Sequence, residues 1–188
     1  MKNILLNILG FLTLILTALL FPAIFIALLF FFVKKKTLLK ILLITALTGS
    51  ALFLGLFVYR NYFFTFGSLD AKNSQKGPGP VTSPDGKYTA NAFYEPYGGA
   101  AGGVNVWVDI TNTDNKKVKT VYYSDAKNNF SLDWKNDNSL TILNDDPEYP
   151  NSSRTITLKV DQEIYDENGL ACRSLLMKKE YTKCYQHS

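Results

Sequence analysis

The chain has 188 residues, 20 Lys or Arg against 16 Asp or Glu, one His and two Cys. The charge is split unevenly: residues 1–66 carry six basic and no acidic side chains, leaving 14 basic against 16 acidic and a net −2 for residues 67–188. The basic balance therefore belongs to the apolar part, and with no basic stripe on the polar part nucleic acid is excluded as a partner.

Two long apolar runs open the chain, at about 4–33 and 38–59. A bilayer core takes roughly 20 apolar residues as helix, so each run is long enough to span. Pro22 interrupts the first run, which a membrane helix tolerates as a kink. A cleaved signal peptide wants an apolar region of about 7–15 residues and a small-residue cleavage site. Here the run is twice that length and "VKKK" follows it. The expected element over 1–66 is a two-helix transmembrane hairpin.

Between the runs lie Lys34, Lys35, Lys36 and Lys40. By the positive-inside rule these four topology determinants hold their loop in the cytoplasm. The chain after Tyr59 is then expected outside, giving a two-span protein of the cell membrane with an extracytoplasmic C-terminal part. The rival is an inverted hairpin with that part in the cytoplasm. Tyr59, Tyr62, Phe63, Phe64 and Phe66 form the aromatic cluster typical of a helix leaving a bilayer.

Residues 67–86, "GSLDAKNSQKGPGPVTSPDG", read as a linker: Gly, Pro, Ser and Lys dominate and apolar side chains are scarce. Alternation begins at Tyr88 and marks an all-β domain over 87–166. In "KYTANAFY" the residues Tyr88, Ala90, Ala92 and Tyr94 share a face. In "VNVWVDI" the face of Val104, Val106, Val108 and Ile110 opposes Asn105, Trp107 and Asp109. "VKTVYY", "FSLDW", "SLTIL" and "RTITLKV" repeat the period, separated by turn sequences rich in Gly, Asn, Asp and Pro. Six short strands predict a small antiparallel sheet or sandwich. Residues 167–188 predict a short C-terminal helix or tail.

Candidate chemistry is sparse. His187 is next to last, which leaves no Ser-His-Asp set in a core. Asp145, Asp146 and Glu148 cluster as a hard cation would want, but the regular Asp-x-Asp-x-Asp-Gly spacing is missing, and a solvated turn is the plainer reading. The Gly-rich "YEPYGGAAGGVN" precedes a strand, whereas a phosphate cradle opens a helix. Its Tyr94 and Tyr97 remain candidate contacts, joined by Trp107, whose polar neighbours on its face suggest exposure. Cys172 and Cys184 can form a disulfide if the domain is outside, or stay as thiols if it is not. With a single His they cannot complete a four-ligand zinc site.

The stretch "SPDGKYTANAFYEPYGGAAG", followed by a Val-x-Val strand, "WKNDNSLTILN" and "LKV", resembles a family of small membrane-anchored proteins of unknown function from Bacillus-type bacteria, over Ser83 to Asp166. "SPDGK" also resembles the start of one TolB-type propeller blade, though no second copy repeats at a fixed period. The family resemblance implies a membrane location and carries over no catalytic residue. The expectation is a non-enzymatic envelope module, without cofactor, that binds the bilayer and an envelope or membrane protein. The alternatives are a transport accessory acting through the hairpin and a metal-dependent envelope enzyme using the acidic loop.

Overall fold

The computed structural model describes residues 20, 23–24, 36–69, 71–99 and 102–187. The chain divides after Phe63 into two compact units.

In the first unit, α1 spans Lys36–Tyr62. Its residues Leu43–Tyr62 are long and apolar enough to cross a membrane. Three polar side chains inside it bond back to their own helix: Thr45 to the Ile41 carbonyl, Thr48 to that of Ile44 and Asn61 to that of Phe57, at 2.7–2.8 Å. That leaves their donors satisfied without water, as a span requires. Apolar side chains such as Ile44, Leu47, Leu52 and Leu54 stand exposed around the helix.

This corrects the two-helix hairpin. Among the described residues one helix, not two, can span, and the expected first span at 4–33 falls outside them apart from residues 20, 23 and 24. Lys36 and Lys40 are not loop residues; both belong to α1. Lysine is a good helix former, so charge by itself does not end a helix.

Among the described residues the second unit is built from ten strands in two sheets. The larger sheet contains β1 (Gln75–Lys76), β2 (Val81–Thr82), β3 (Tyr88–Tyr97), β4 (Gly103–Asn112), β5 (Val118–Asp125), β9 (Glu163–Asp166) and β10 (Lys183–Tyr185), in the order β1-β3-β4-β5-β9-β10 with β2 also on β3. The smaller sheet is β6 (Asn129–Trp134), β7 (Ser139–Asp145) and β8 (Ile156–Lys159). The hairpins β3–β4–β5 and β6–β7–β8 are antiparallel, while β9 runs parallel to both β5 and β10.

The six strands expected from alternation are β3 to β8. They form two meanders packed face to face rather than one. Ala90, Ala92, Val106, Val108 and Ile110 of the larger sheet meet Leu132, Leu140, Ile142 and Leu158 of the smaller in one core. Each large aliphatic side chain buried there is worth about 1.5–3 kcal/mol. The alanines leave room for aromatic side chains at the core's margin, where Tyr88 stacks on Trp134 and Tyr94 meets Phe130 edge-on. A bulge between β4 and β5 pairs Val108 with Tyr122 but Asp109 with Thr120. Val121 is the extra residue, so Val121 and Tyr122 both reach the core.

Two further stretches differ from expectation. Within the expected linker, β1 and β2 pair with β3 and so belong to the sheet. Gly79 lies between them at φ +117, where a Cβ would stand 2.7 Å from the Ala90 carbonyl oxygen, so that bend takes no side chain. The C-terminal stretch is no free tail. It forms the single-turn α2 (Leu170–Arg173), a 3₁₀ turn at Met177–Lys179 and β10. Cys172 is joined to Cys184, tying α2 to β10.

That stretch covers the outer face of the larger sheet. Phe66, Ile164, Ala171 and Met177 form a second core, flanked by Phe64, Leu69, Tyr123 and Tyr181. The sheet is therefore buried on both faces, which a strand's own alternation does not reveal.

Candidate functional site

A cleft of about 340 Å³ opens on that outer face. Three separated pieces of chain wall it. Strands β4 and β5 supply Asp109, Val118, Lys119 and Thr120. The segment after α1 supplies Thr65, Phe66, Gly67 and Leu69. The C-terminal stretch supplies Met177, Glu180 and Tyr181. The bulge matters here, because it brings Thr120 opposite Asp109.

Asp109 accepts a hydrogen bond from Thr120 Oγ1 at 2.7 Å. Burial raises its carboxyl above the ordinary 3.8, and the Thr120 bond offsets only part of that. The buried Trp107 indole N–H, two residues away, leans toward this carboxyl and favours its ionised form, yet it has no partner in hydrogen-bond geometry. Lys119 donates to the carbonyls of Asp161 at 3.2 Å and Glu180 at 3.1 Å, and its ammonium lies 3.9 Å from the centre of the Tyr181 ring. Burial lowers its pKa, with Glu180 and Asp161 pulling the other way. Tyr181 donates to the Thr120 carbonyl at 2.6 Å, and burial raises its phenol far above the ordinary value.

The arrangement is an apolar floor of Phe66, Leu69 and Met177 with a cation at one side and a carboxyl at another. The charges that shift Lys119 are Glu180, Asp161 and Lys117. The cleft thus sets the polar side chains of Asp109, Lys119, Thr120, Glu180 and Tyr181 around a few apolar ones.

The sequence candidates are scattered by comparison. Trp107 is corrected outright: it is fully buried, stacked on Phe93 at 5.6 Å, on the face that alternation left to solvent, where its cross-strand neighbour Tyr123 packs against the second core. Tyr94 packs at the margin of the inter-sheet core. Tyr97 is exposed and donates to Asp125 at 2.9 Å. Asp146 accepts from the Glu148 backbone N–H at 3.0 Å and from Asn128 at 3.0 Å, closing a turn. Among the described residues no three His, Cys, Asp or Glu side chains form a group able to hold a metal.

Sequence reading missed the cleft. Its signals were an aspartate and a lysine inside apolar strands, "WVDI" and "VKTV", and phenylalanines following the span.

A second polar cluster joins the sheets. Glu167, just past β9, accepts from Ser124 Oγ and the Asp125 N–H at 2.8 Å each, and pairs with Arg154. Asn144, fully buried on β7, donates to Tyr122 OH at 2.8 Å and to the Asp125 carbonyl at 2.9 Å. Its donors and acceptors are satisfied internally, as buried polar groups require. This cluster holds the sandwich together.

No curated protein and no solved structure matches the chain. A family model does match, over residues 35–168, taking in α1 and all of the sandwich except the stretch from α2 to β10. That is more than half of the chain, which therefore belongs to DUF5412, a family of unknown function.

Proposed function

We propose that the chain is a membrane-tethered, non-enzymatic binding module. Its sandwich stands on the outer side of the cytoplasmic membrane of a bacterial envelope and holds an envelope or membrane protein in the cleft. The observation that carries the reading is the cleft itself, with a floor of Phe66, Leu69 and Met177 and polar groups at Lys119 and Asp109. Its size suits one or two apolar side chains of an extended segment, with an acidic or carbonyl group turned to Lys119.

The outward topology rests on charge. Lys34, Lys35, Lys36 and Lys40 precede or open α1, whereas Arg60 is the basic residue of its last turn. Retaining the more basic flank in the cytoplasm sends the sandwich out. A Cys172–Cys184 bond fits an oxidising compartment. Arguing against catalysis, Lys119 already serves two carbonyls and a ring, and Asp109 is engaged by Thr120.

Two measurements test the reading. Protease added to intact spheroplasts should shave the wild-type sandwich. With Lys34, Lys35, Lys36 and Lys40 all changed to Gln, part of the population should be spared. A wild-type sandwich that resists the protease reverses the topology. For the cleft, a photo-crosslinker at Val118, an exposed rim position, should give an adduct that Lys119→Ala abolishes and that position 149 does not give. Identical adducts from positions 118 and 149 dispose of the cleft.

A further inference from the structure

Leu175 and Leu176 are adjacent in sequence and half exposed, at 51% and 50%. Met177, beside them, is turned inward into the second core, and Lys178 and Lys179 follow, both exposed. Neither lysine forms an ion pair among the described residues. From Arg173 to Glu180 three basic side chains stand against one acidic. The segment is held in place: Met177 anchors it, the Cys172–Cys184 bond closes it, and Ser174 Oγ donates to the Phe64 carbonyl at 2.6 Å.

The acceptor of that last bond, Phe64, stands two residues past the end of α1. α1 ends at Tyr62, and Phe64 is already packed against the second core, so Phe63 alone separates them. Two residues reach at most about 7 Å. Tyr62 and Phe63 are exposed aromatic residues of the kind that sit at headgroup level. A pair of leucines beside a pair of lysines, hydrogen-bonded to the chain within two residues of a span, has the composition of an interfacial insertion.

We infer that Leu175, Leu176, Lys178 and Lys179 form a second membrane contact of the sandwich, in which the leucines enter the headgroup layer and the lysines bind anionic phospholipid. The inference rests on the reading of α1 as a membrane span. The same stretch supplies Met177, Glu180 and Tyr181 to the cleft wall, so one segment serves both. Each lysine near an anionic surface is worth about fivefold in the ratio of docked to undocked sandwich.

The test uses the full chain reconstituted into vesicles that contain brominated phosphatidylcholine, with or without phosphatidylglycerol. Leu176→Trp reports insertion, and Tyr149→Trp, at an exposed position of the smaller sheet's β7–β8 loop, is the reference. The expected result is fluorescence quenching of Leu176→Trp well above that of Tyr149→Trp. It should be strongest with phosphatidylglycerol and largely relieved when Lys178→Gln and Lys179→Gln are added, an expected fall of roughly 25-fold in docked ratio. Equal quenching of the two reporters, or quenching indifferent to the lysines, overturns the inference. Flotation with the vesicles and resistance to carbonate extraction are measured on the same samples. A chain that carbonate releases removes the span and the inference together; a chain that stays while Leu176→Trp is unquenched refutes the second contact alone.

Discussion

Replacing Glu167 with alanine removes the acceptor at the centre of the polar cluster between the sheets. Three donors lose a partner: Arg154 Nε, the Asp125 N–H and Ser124 Oγ. Arg154 keeps the Ser152 and Ser153 carbonyls, and Ser124 keeps that of Asp125 at 3.1 Å, so the Asp125 N–H is the group left with nothing. The side chains of Arg154 and Glu167 are only 11% and 13% exposed, so water replaces these bonds incompletely. Breaking a buried pair from one side costs roughly 3–5 kcal/mol. With two of the three donors partly served elsewhere, the expectation lies at the lower end, about 3 kcal/mol. Arg154→Met takes away one charged hydrogen bond and leaves Glu167 two donors, which costs about 1.5–2 kcal/mol. Because the two residues share one interaction, the double variant should fall short of the sum by about 1–2 kcal/mol.

Acidification supplies a second readout. Burial pushes the Glu167 carboxyl up, but the Asp125 N–H, Ser124 and Arg154 outweigh it, and the net position is below the ordinary 4.5. The folded state thus holds this proton less tightly than the unfolded state. The contribution to stability is complete above 4.5 and is lost as pH falls through the folded pKa. The assay is urea unfolding of the detergent-solubilised full chain, followed by near-UV circular dichroism at neutral pH and at successively lower pH. The gap between wild type and Glu167→Ala should narrow below 4.5. A variant within about 1 kcal/mol of wild type, or a strictly additive double variant, would show that the cluster does not couple the sheets.

Asp109→Asn works in the opposite sense. The folded carboxyl is raised above 3.8 by burial, so ionising it costs stability as pH rises through the folded pKa. The amide keeps an acceptor for Thr120, and melting should come at higher temperature than wild type at pH 7 and at the same temperature in strong acid; a lower melting point at pH 7 defeats the argument. Serine at both Cys172 and Cys184 opens a 12-residue separation, which the loop-entropy model values at about 3 kcal/mol. The same change should free β10, visible as faster amide exchange at Lys183–Tyr185; unchanged exchange there means that strand pairing alone holds the edge. Gly79→Ala meets both a φ of +117 and the Ala90 oxygen, and should destabilise by about 1–3 kcal/mol, measured by urea midpoint. A midpoint equal to wild type would mean that the bend relaxes freely.

Local pattern determined a good part of this protein. The apolar run ahead of Tyr62 specified a helix long and apolar enough to span, because that capacity is a matter of length and hydropathy. The alternation of Val104, Val106, Val108 and Ile110 specified β4 and its inner face, and turn sequences such as "SPDG" and "NTDN" placed the breaks. There the deciding interactions lie within a few residues of each other. What faces what was decided by contacts between residues far apart in the chain. Trp107 lies on the face that alternation leaves to water, yet it is fully buried; on that face its cross-strand neighbour Tyr123 packs against Phe66 and Met177, residues far from it in the chain. Val81–Thr82 looked like linker because two residues are too short a run for any period, yet their pairing with β3 makes them sheet. Likewise β9 has only four residues and pairs in parallel, which calls for no hairpin turn that a sequence could announce. The cleft follows from the same cause. Asp109, Lys119, Phe66 and Tyr181 carry no shared motif, and only the closing of three distant segments over one sheet brings them around a common space.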